Sequence, residues 1–267
     1  MRRHTVAGLF LKLNIWLVLQ SMLLVTASTL ALGVPLSDVG LALLLPPLLF
    51  YFIYVEDRRD VSPEDRINNP ERVALVKSNH RFLLLTEISA LVSYEAILTW
   101  FIYIDSGAPL AEFSLFILGQ APFVILLFYE QLKEYFPAVD SVAVATTWAF
   151  AVLYPVFLTT PKSFTTQSVA LFFAWFLIVF AGVESRNIQD LEGDKEADRS
   201  TLAAKIGASQ TRFLEIGLKF GGIALISFLT PTLFAVVLVV VHLGLLHAFR
   251  KVSQNFELKA SDAMVSP

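Results

Sequence analysis

Eight apolar stretches of 17 to 23 residues, separated by polar links, constrain this chain more than any other feature. They are Leu13–Leu32, Val39–Val55, Phe82–Ile104, Ala111–Tyr129, Ser141–Phe157, Thr166–Val183, Phe213–Leu229 and Pro231–Phe249. The first holds 20 residues and no charge, enough to cross about 30 Å of hydrocarbon as a helix. Arg2 and Arg3 precede it, but it is too long for the core of a cleaved signal peptide and no small-residue cleavage site follows. Hydrophobic residues make up 56% of the chain and charged ones 16%, against about 25% charged in soluble domains. The excess has to face lipid. The sequence therefore predicts an all-α integral membrane protein, a bundle of about eight transmembrane helices around a central cavity. It predicts a single domain over 1–267, with the membrane core at about 13–250 and a polar tail at 251–267.

Basic residues set the orientation. With the N-terminus in the cytoplasm, every Lys and Arg except Lys162 and Lys219 falls in a cytoplasmic segment, the bias expected of a multi-pass membrane protein. Two acidic stretches then share the cytoplasmic side. One runs from Glu56 to Glu71 after the second helix, the other from Asn187 to Leu202 after the sixth. The chain has no cysteine, so disulfides, thiolate metal sites and cysteine nucleophiles are excluded. No basic, aromatic-interleaved segment suggests nucleic acid.

The second acidic stretch reads N-I-Q-D-L-E-G-D-K-E-A-D-R-S-T-L. Asp190, Asp194 and Asp198 recur every four residues, so a helix stacks them on one face. Like charges in that position repel unless a cation joins them. Mg²⁺ does so with few protein carboxylates, keeping sites for phosphate oxygens. A solvated acidic loop is the plain alternative. Two acidic loops with interspersed Arg and Lys, over an apolar and aromatic interior, suit a metal-bridged diphosphate with a hydrocarbon tail in the membrane.

The motifs and their order resemble the UbiA superfamily of intramembrane prenyltransferases over most of the chain. D-L-E-G-D (Asp190–Asp194) followed by R-S-T-L (Arg199–Leu202) is similar to that family's second Asp-rich motif. Y-E-Q-L-K (Tyr129–Lys133) is similar to its Tyr-x-x-x-Lys after the fourth helix, and D-R-I-N-N-P-E-R (Asp65–Arg72) to the end of its first motif. The resemblance implies Mg²⁺-dependent transfer of a prenyl group from a polyprenyl diphosphate to a lipophilic acceptor. It implies metal ligands at Asp57, Asp60, Asp65, Asp190 and Asp194. Diphosphate contacts fall to Arg66, Asn68, Arg72, Lys133, Arg186, Asn187 and Lys195, with Tyr129 and Lys133 beside the leaving group. The chain departs from the pattern where the family usually has Asn, Asp and Asp ahead of Asp65: here Asp57, Arg58 and Val61 stand. Asn187 replaces an aspartate in the second motif, and the Pro-x-Ser-Gly that commonly follows the first motif's arginine is absent.

Glu87 and Glu95 lie in the third apolar stretch, where a charge costs about 2.5–3.5 kcal/mol. They are candidates for binding or deprotonating the acceptor. Glu215 and Lys219 are spaced to pair along one helix. His80 fits a solvated interface, His242 and His247 fit packing, and G-L-K-F-G-G (Gly217–Gly222) fits close helix packing. The rival functions are a non-catalytic isoprenoid-binding protein on the same scaffold and a cation-coupled transporter. A transporter gathers its charge near the membrane midplane, whereas most charge here lies at one face.

Overall fold

The computed structural model describes residues 13, 15–59, 61, 70–105, 109–133, 138–160, 164–196 and 201–229, with isolated positions between 237 and 248. The described residues are almost entirely helical, without a strand among them. The main helices are α1 (Trp16–Ala31), α2 (Leu36–Val39), α3 (Leu45–Arg59), α4 (Pro70–Trp100), α5 (Pro109–Lys133), α6 (Val139–Thr159) and α7 (Thr166–Gln189). Short helices α8 (Leu191–Glu196) and α9 (Leu202–Ile206) lead into α10 (Ala208–Leu229). Four spans are long and apolar enough to cross a membrane, at Leu36–Arg59, Arg72–Tyr103, Val139–Thr159 and Thr166–Gln189, with shorter apolar helices beside them. The predicted eighth span, Pro231–Phe249, lies mostly outside the described residues.

Several boundaries differ from the sequence prediction. Pro46 and Pro47, expected to kink the middle of a helix, instead sit in the first turn of α3, after a 3-10 segment at Gly40–Leu44. The first turn has no intrahelical use for the donors that proline lacks, so the helix starts there. The third span, expected from Phe82, begins at Pro70 for the same reason and closes with a π-helical turn at Phe101–Asp105. The sixth, expected to stop at Val183, continues to Gln189, so the second acidic stretch opens as helix. Its start is fixed by a reciprocal capping box between Thr165 and Ser168. Helix α1 ends on Gly33, whose φ of 69° only glycine adopts without strain.

Val55 on α3 shares a small core with Val76 and Leu83 on α4 and with Leu13. The larger core joins α1, α3, α6 and α7 around Phe50, Trp148 and Trp175. Helix α10 lies against α7, and a Cβ on Gly222 would sit 2.8 Å from the Ala174 carbonyl oxygen, so this pair depends on glycine. Phe213, Phe220 and Phe228 on α10 are 83%, 71% and 89% exposed, as a lipid-facing stripe requires. Gaining the bundle its shape are the ends of α3 and α7 and the starts of α4 and α6, which gather at one end, hereafter the acidic end.

Candidate functional site

Three layers can be followed from the acidic end inward. At the rim, Asp57 is half exposed and lies 3.4 Å from Arg58 Nη1, while Arg58 itself is buried. Across from them Arg186 Nε approaches Asp190 Oδ2 at 3.4 Å. Asp190 ends α7 and its carbonyl accepts from the Asp194 amide at 2.9 Å, so one turn of helical geometry bridges α7 to α8. The two carboxylates do not share an environment: Asp194 is buried and Asp190 is partly open. Arg72 is buried near the start of α4, and Lys195 is exposed.

One turn further in, Ser141 Oγ donates to Glu184 Oε1 at 2.5 Å. Asn187 Nδ2 stands 3.4 Å from the same Ser141 Oγ. Glu184 and Asn187, three residues apart on α7, are buried on one face of that helix, and Asp194 on α8 is buried as well. Deeper still, Trp148 Nε1 donates to Tyr54 Oη at 3.2 Å, and Phe50 stacks on Trp148 with ring centroids 3.8 Å apart. The Tyr54 hydroxyl is within electrostatic range of Arg186, Arg58 and Asp57, which ties the ends of α3 and α7 to one place.

The membrane carboxylates are not bare. Arg59 turns its side chain inward and holds Glu87 through Nε at 2.6 Å and Nη2 at 3.3 Å, with Glu56 on the other side of the guanidinium. Glu95 accepts from Gln120 Nε2 at 3.1 Å. It lies eight residues beyond Glu87, about 12 Å further along α4 and away from the acidic end. Glu215 and Lys219 pair along α10, as their spacing predicts. His80 is exposed.

Asp60, Asp65, Arg66, Asn68 and Asp198 lie outside the described residues. Tyr129 and Lys133 fall in the last turns of α5 rather than in a link, and their side chains lie outside the described residues. Among the described residues no three Asp, Glu or His side chains converge on one point. Mg²⁺ needs only one or two protein carboxylates alongside phosphate oxygens. Asp190 and Asp194, hard oxygen donors a turn apart with no thiol in the chain, fit that requirement.

Sequence patterns missed Gln20, Ser141 and Glu184. Gln20 was legible as a lone amide in an apolar run. Glu184 was hidden because the hydropathy break at Val183 assigned it to a loop.

A model of the UbiA prenyltransferase family matches residues 96–265, more than half of the chain. The match takes in Tyr129–Lys133 and the second acidic stretch and begins after the first. No curated protein and no solved structure matches the chain.

Proposed function

The chain belongs to the UbiA prenyltransferase family, and on that premise we propose that it transfers a prenyl group from a polyprenyl diphosphate to a lipophilic acceptor within the bilayer, using Mg²⁺. The observation that carries this is the family match over a segment containing both Tyr129–Lys133 and Asp190–Asp194. The meeting of Asp57, Arg58 and Arg186 around Tyr54 supports it, since a diphosphate needs carboxylates for its metal and cations for its remaining charge.

In this proposal Asp190 and Asp194 would hold Mg²⁺ together with Asp57 or Asp60 and Asp65. The metal, when bound, stabilises charge on the departing diphosphate. Arg186, Arg72, Arg66 and Lys195 offset phosphate charge, Asn68 and Asn187 donate to its oxygens, and Tyr129 with Lys133 orient the leaving group. Beneath the rim, Phe50, Tyr54 and Trp148 give the allylic carbon an aromatic wall. Each ring face stabilises developing positive charge by about 0.5–2 kcal/mol. Glu87 is bound to Arg59 and Glu95 lies towards the opposite end, so both are better placed to hold helices than to touch the reacting carbon. The single domain over 1–267 and the cytoplasmic placement of both acidic stretches belong to the same proposal.

Membranes containing the protein should convert radiolabelled prenyl diphosphate to a lipophilic product with a panel of acceptors, and chelation of Mg²⁺ should stop the conversion. No turnover of any prenyl diphosphate with any acceptor class refutes the proposal. For orientation, a cysteine introduced at Ser62 should react with reagents on the cytoplasmic side; labelling from the outside alone reverses the topology.

A further inference from the structure

Helix α4 carries one exposed stripe that is cationic at one end and apolar along the rest. Lys77, Arg81, Leu85, Ile88 and Val92 follow one another at steps of four, four, three and four residues. At about 100° per residue they fall within about 80° of one another. All five are exposed, the three apolar ones by 65%, 48% and 61%. The opposite face holds Val76, Leu83 and Glu87, all buried. Among the described residues Glu56 and Glu87 are taken by Arg59, and neither Lys77 nor Arg81 enters an ion pair. Lys77, Ser78, His80, Arg81 and Phe82 border an open space of about 500 Å³.

The stripe changes character at the membrane surface. Tyr51 Oη on α3 donates to Thr86 Oγ1 on α4 at 2.8 Å, and Val55 shares a core with Val76 and Leu83, so these two helices run antiparallel there. Five residues on from Tyr51 is Glu56, where the apolar run of α3 ends, and five back from Thr86 is Arg81. Arg81 is therefore level with that boundary, Lys77 a turn outside it and Leu85 a turn inside. From Arg81 to Val92 is 11 residues, about 16 Å of helix. One leaflet of hydrocarbon is about 15 Å deep.

We propose that this face of α4 binds an anionic phospholipid from the leaflet at the acidic end. The lipid phosphate sits between Lys77 and Arg81, and one acyl chain lies along Leu85, Ile88 and Val92. Residues four apart on a helix stand about 5–6 Å from each other, so one phosphate reaches both cations. Charge-assisted bonds to its oxygens supply the counter-charge that the described chain does not. A phosphatidylcholine brings its own cation to the same place, and the pair discriminates against it. A soluble phosphate has no chain to cover the apolar part of the stripe. The site lies on the lipid-facing side of the bundle and does not depend on the transferase proposal.

The full chain in nanodiscs tests this with two photoactivatable lipids, a phosphatidylglycerol and a phosphatidylcholine bearing the same diazirine on one acyl chain. After illumination and digestion, mass spectrometry reads labelling of the segment from Phe82 to Val92. The glycerol lipid should label it about tenfold or more above the choline lipid, because each cation at a membrane surface attracts an anionic headgroup. Lys77→Gln with Arg81→Gln should remove that excess and keep the choline-lipid labelling, which reports an intact fold. Lys205→Gln with Arg212→Gln, which removes the same charge from exposed positions on α9 and α10, should leave the excess in place. Absence of excess in the wild type overturns the proposal, as does excess that survives the loss of Lys77 and Arg81. Equal loss in the two double variants overturns it too, since overall charge and not this face would then draw the lipid. Where the Lys77 and Arg81 double variant does not fold, each single variant is read instead: partial loss of the excess supports the site, and full excess in both overturns it.

Discussion

The two ends of the bundle solve the same problem differently. Away from the acidic end, buried polar groups are closed by the chain itself: Tyr94 Oη donates to the Gly119 carbonyl at 2.7 Å and Tyr154 Oη to that of Leu115 at 2.6 Å. Trp175 is bonded to Ser28, and the space between Leu45, Leu49, Tyr94, Pro122, Phe150 and Tyr154 is too narrow for a water molecule. Towards the acidic end, arginines enter the interior, a carboxylate is clamped by a guanidinium, and Gln20 and Glu184 keep atoms without partners among the described residues. In hydrocarbon, a polar group is retained only if something pairs with it. The closed end pairs inward and is scaffold. The acidic end keeps unused bonding capacity, as a binding region must.

Removing the cation from the clamp should produce the largest effect. Arg59→Met leaves Glu87 buried beside Glu56, and should destabilise the protein by about 3–5 kcal/mol. The double variant Arg59→Met with Glu87→Leu should recover most of that loss in detergent unfolding. Equal stability of Arg59→Met and wild type would show that the clamp holds nothing together. At the rim, Asp190→Asn and Asp194→Asn should each lower prenyl transfer by about 10²–10³-fold and weaken Mg²⁺-dependent diphosphate binding, with the unfolding midpoint unchanged. Activity indifferent to both would move the diphosphate elsewhere.

Packing defects should cost less and spare the chemistry. A Cβ at Gly222 would lie 2.6 Å from Ile178 and 2.8 Å from the Ala174 carbonyl oxygen, whereas one at Gly217 would meet nothing within 4 Å. Gly222→Val should therefore cost about 1–3 kcal/mol, and Gly217→Val close to nothing, as read by thermal unfolding. Matching losses at the two sites would mean helix propensity, not the α7–α10 contact, sets the cost. At the closed end Tyr154→Phe should cost about 1 kcal/mol and leave turnover intact. A large fall in turnover there would erase the distinction between scaffold and site.

The sequence alone determined the class of fold, the position of seven of the helices, the order of the motifs and the Glu215–Lys219 pair. These are local properties, carried by runs of apolar residues or by spacings within one helix. The tertiary structure decided the rest. It placed Pro46 and Pro47 at a helix start, gave Glu87 an arginine from another helix, and buried Asp194 while leaving Asp190 partly open. It also buried Gln20 and Glu184, 164 positions apart in the chain, each with side-chain atoms that have no partner among the described residues. Such pairings depend on how each helix is rotated and how far it slides against its neighbours. Where lipid accepts any apolar face, hydropathy carries no record of either, and only the packed bundle fixes them.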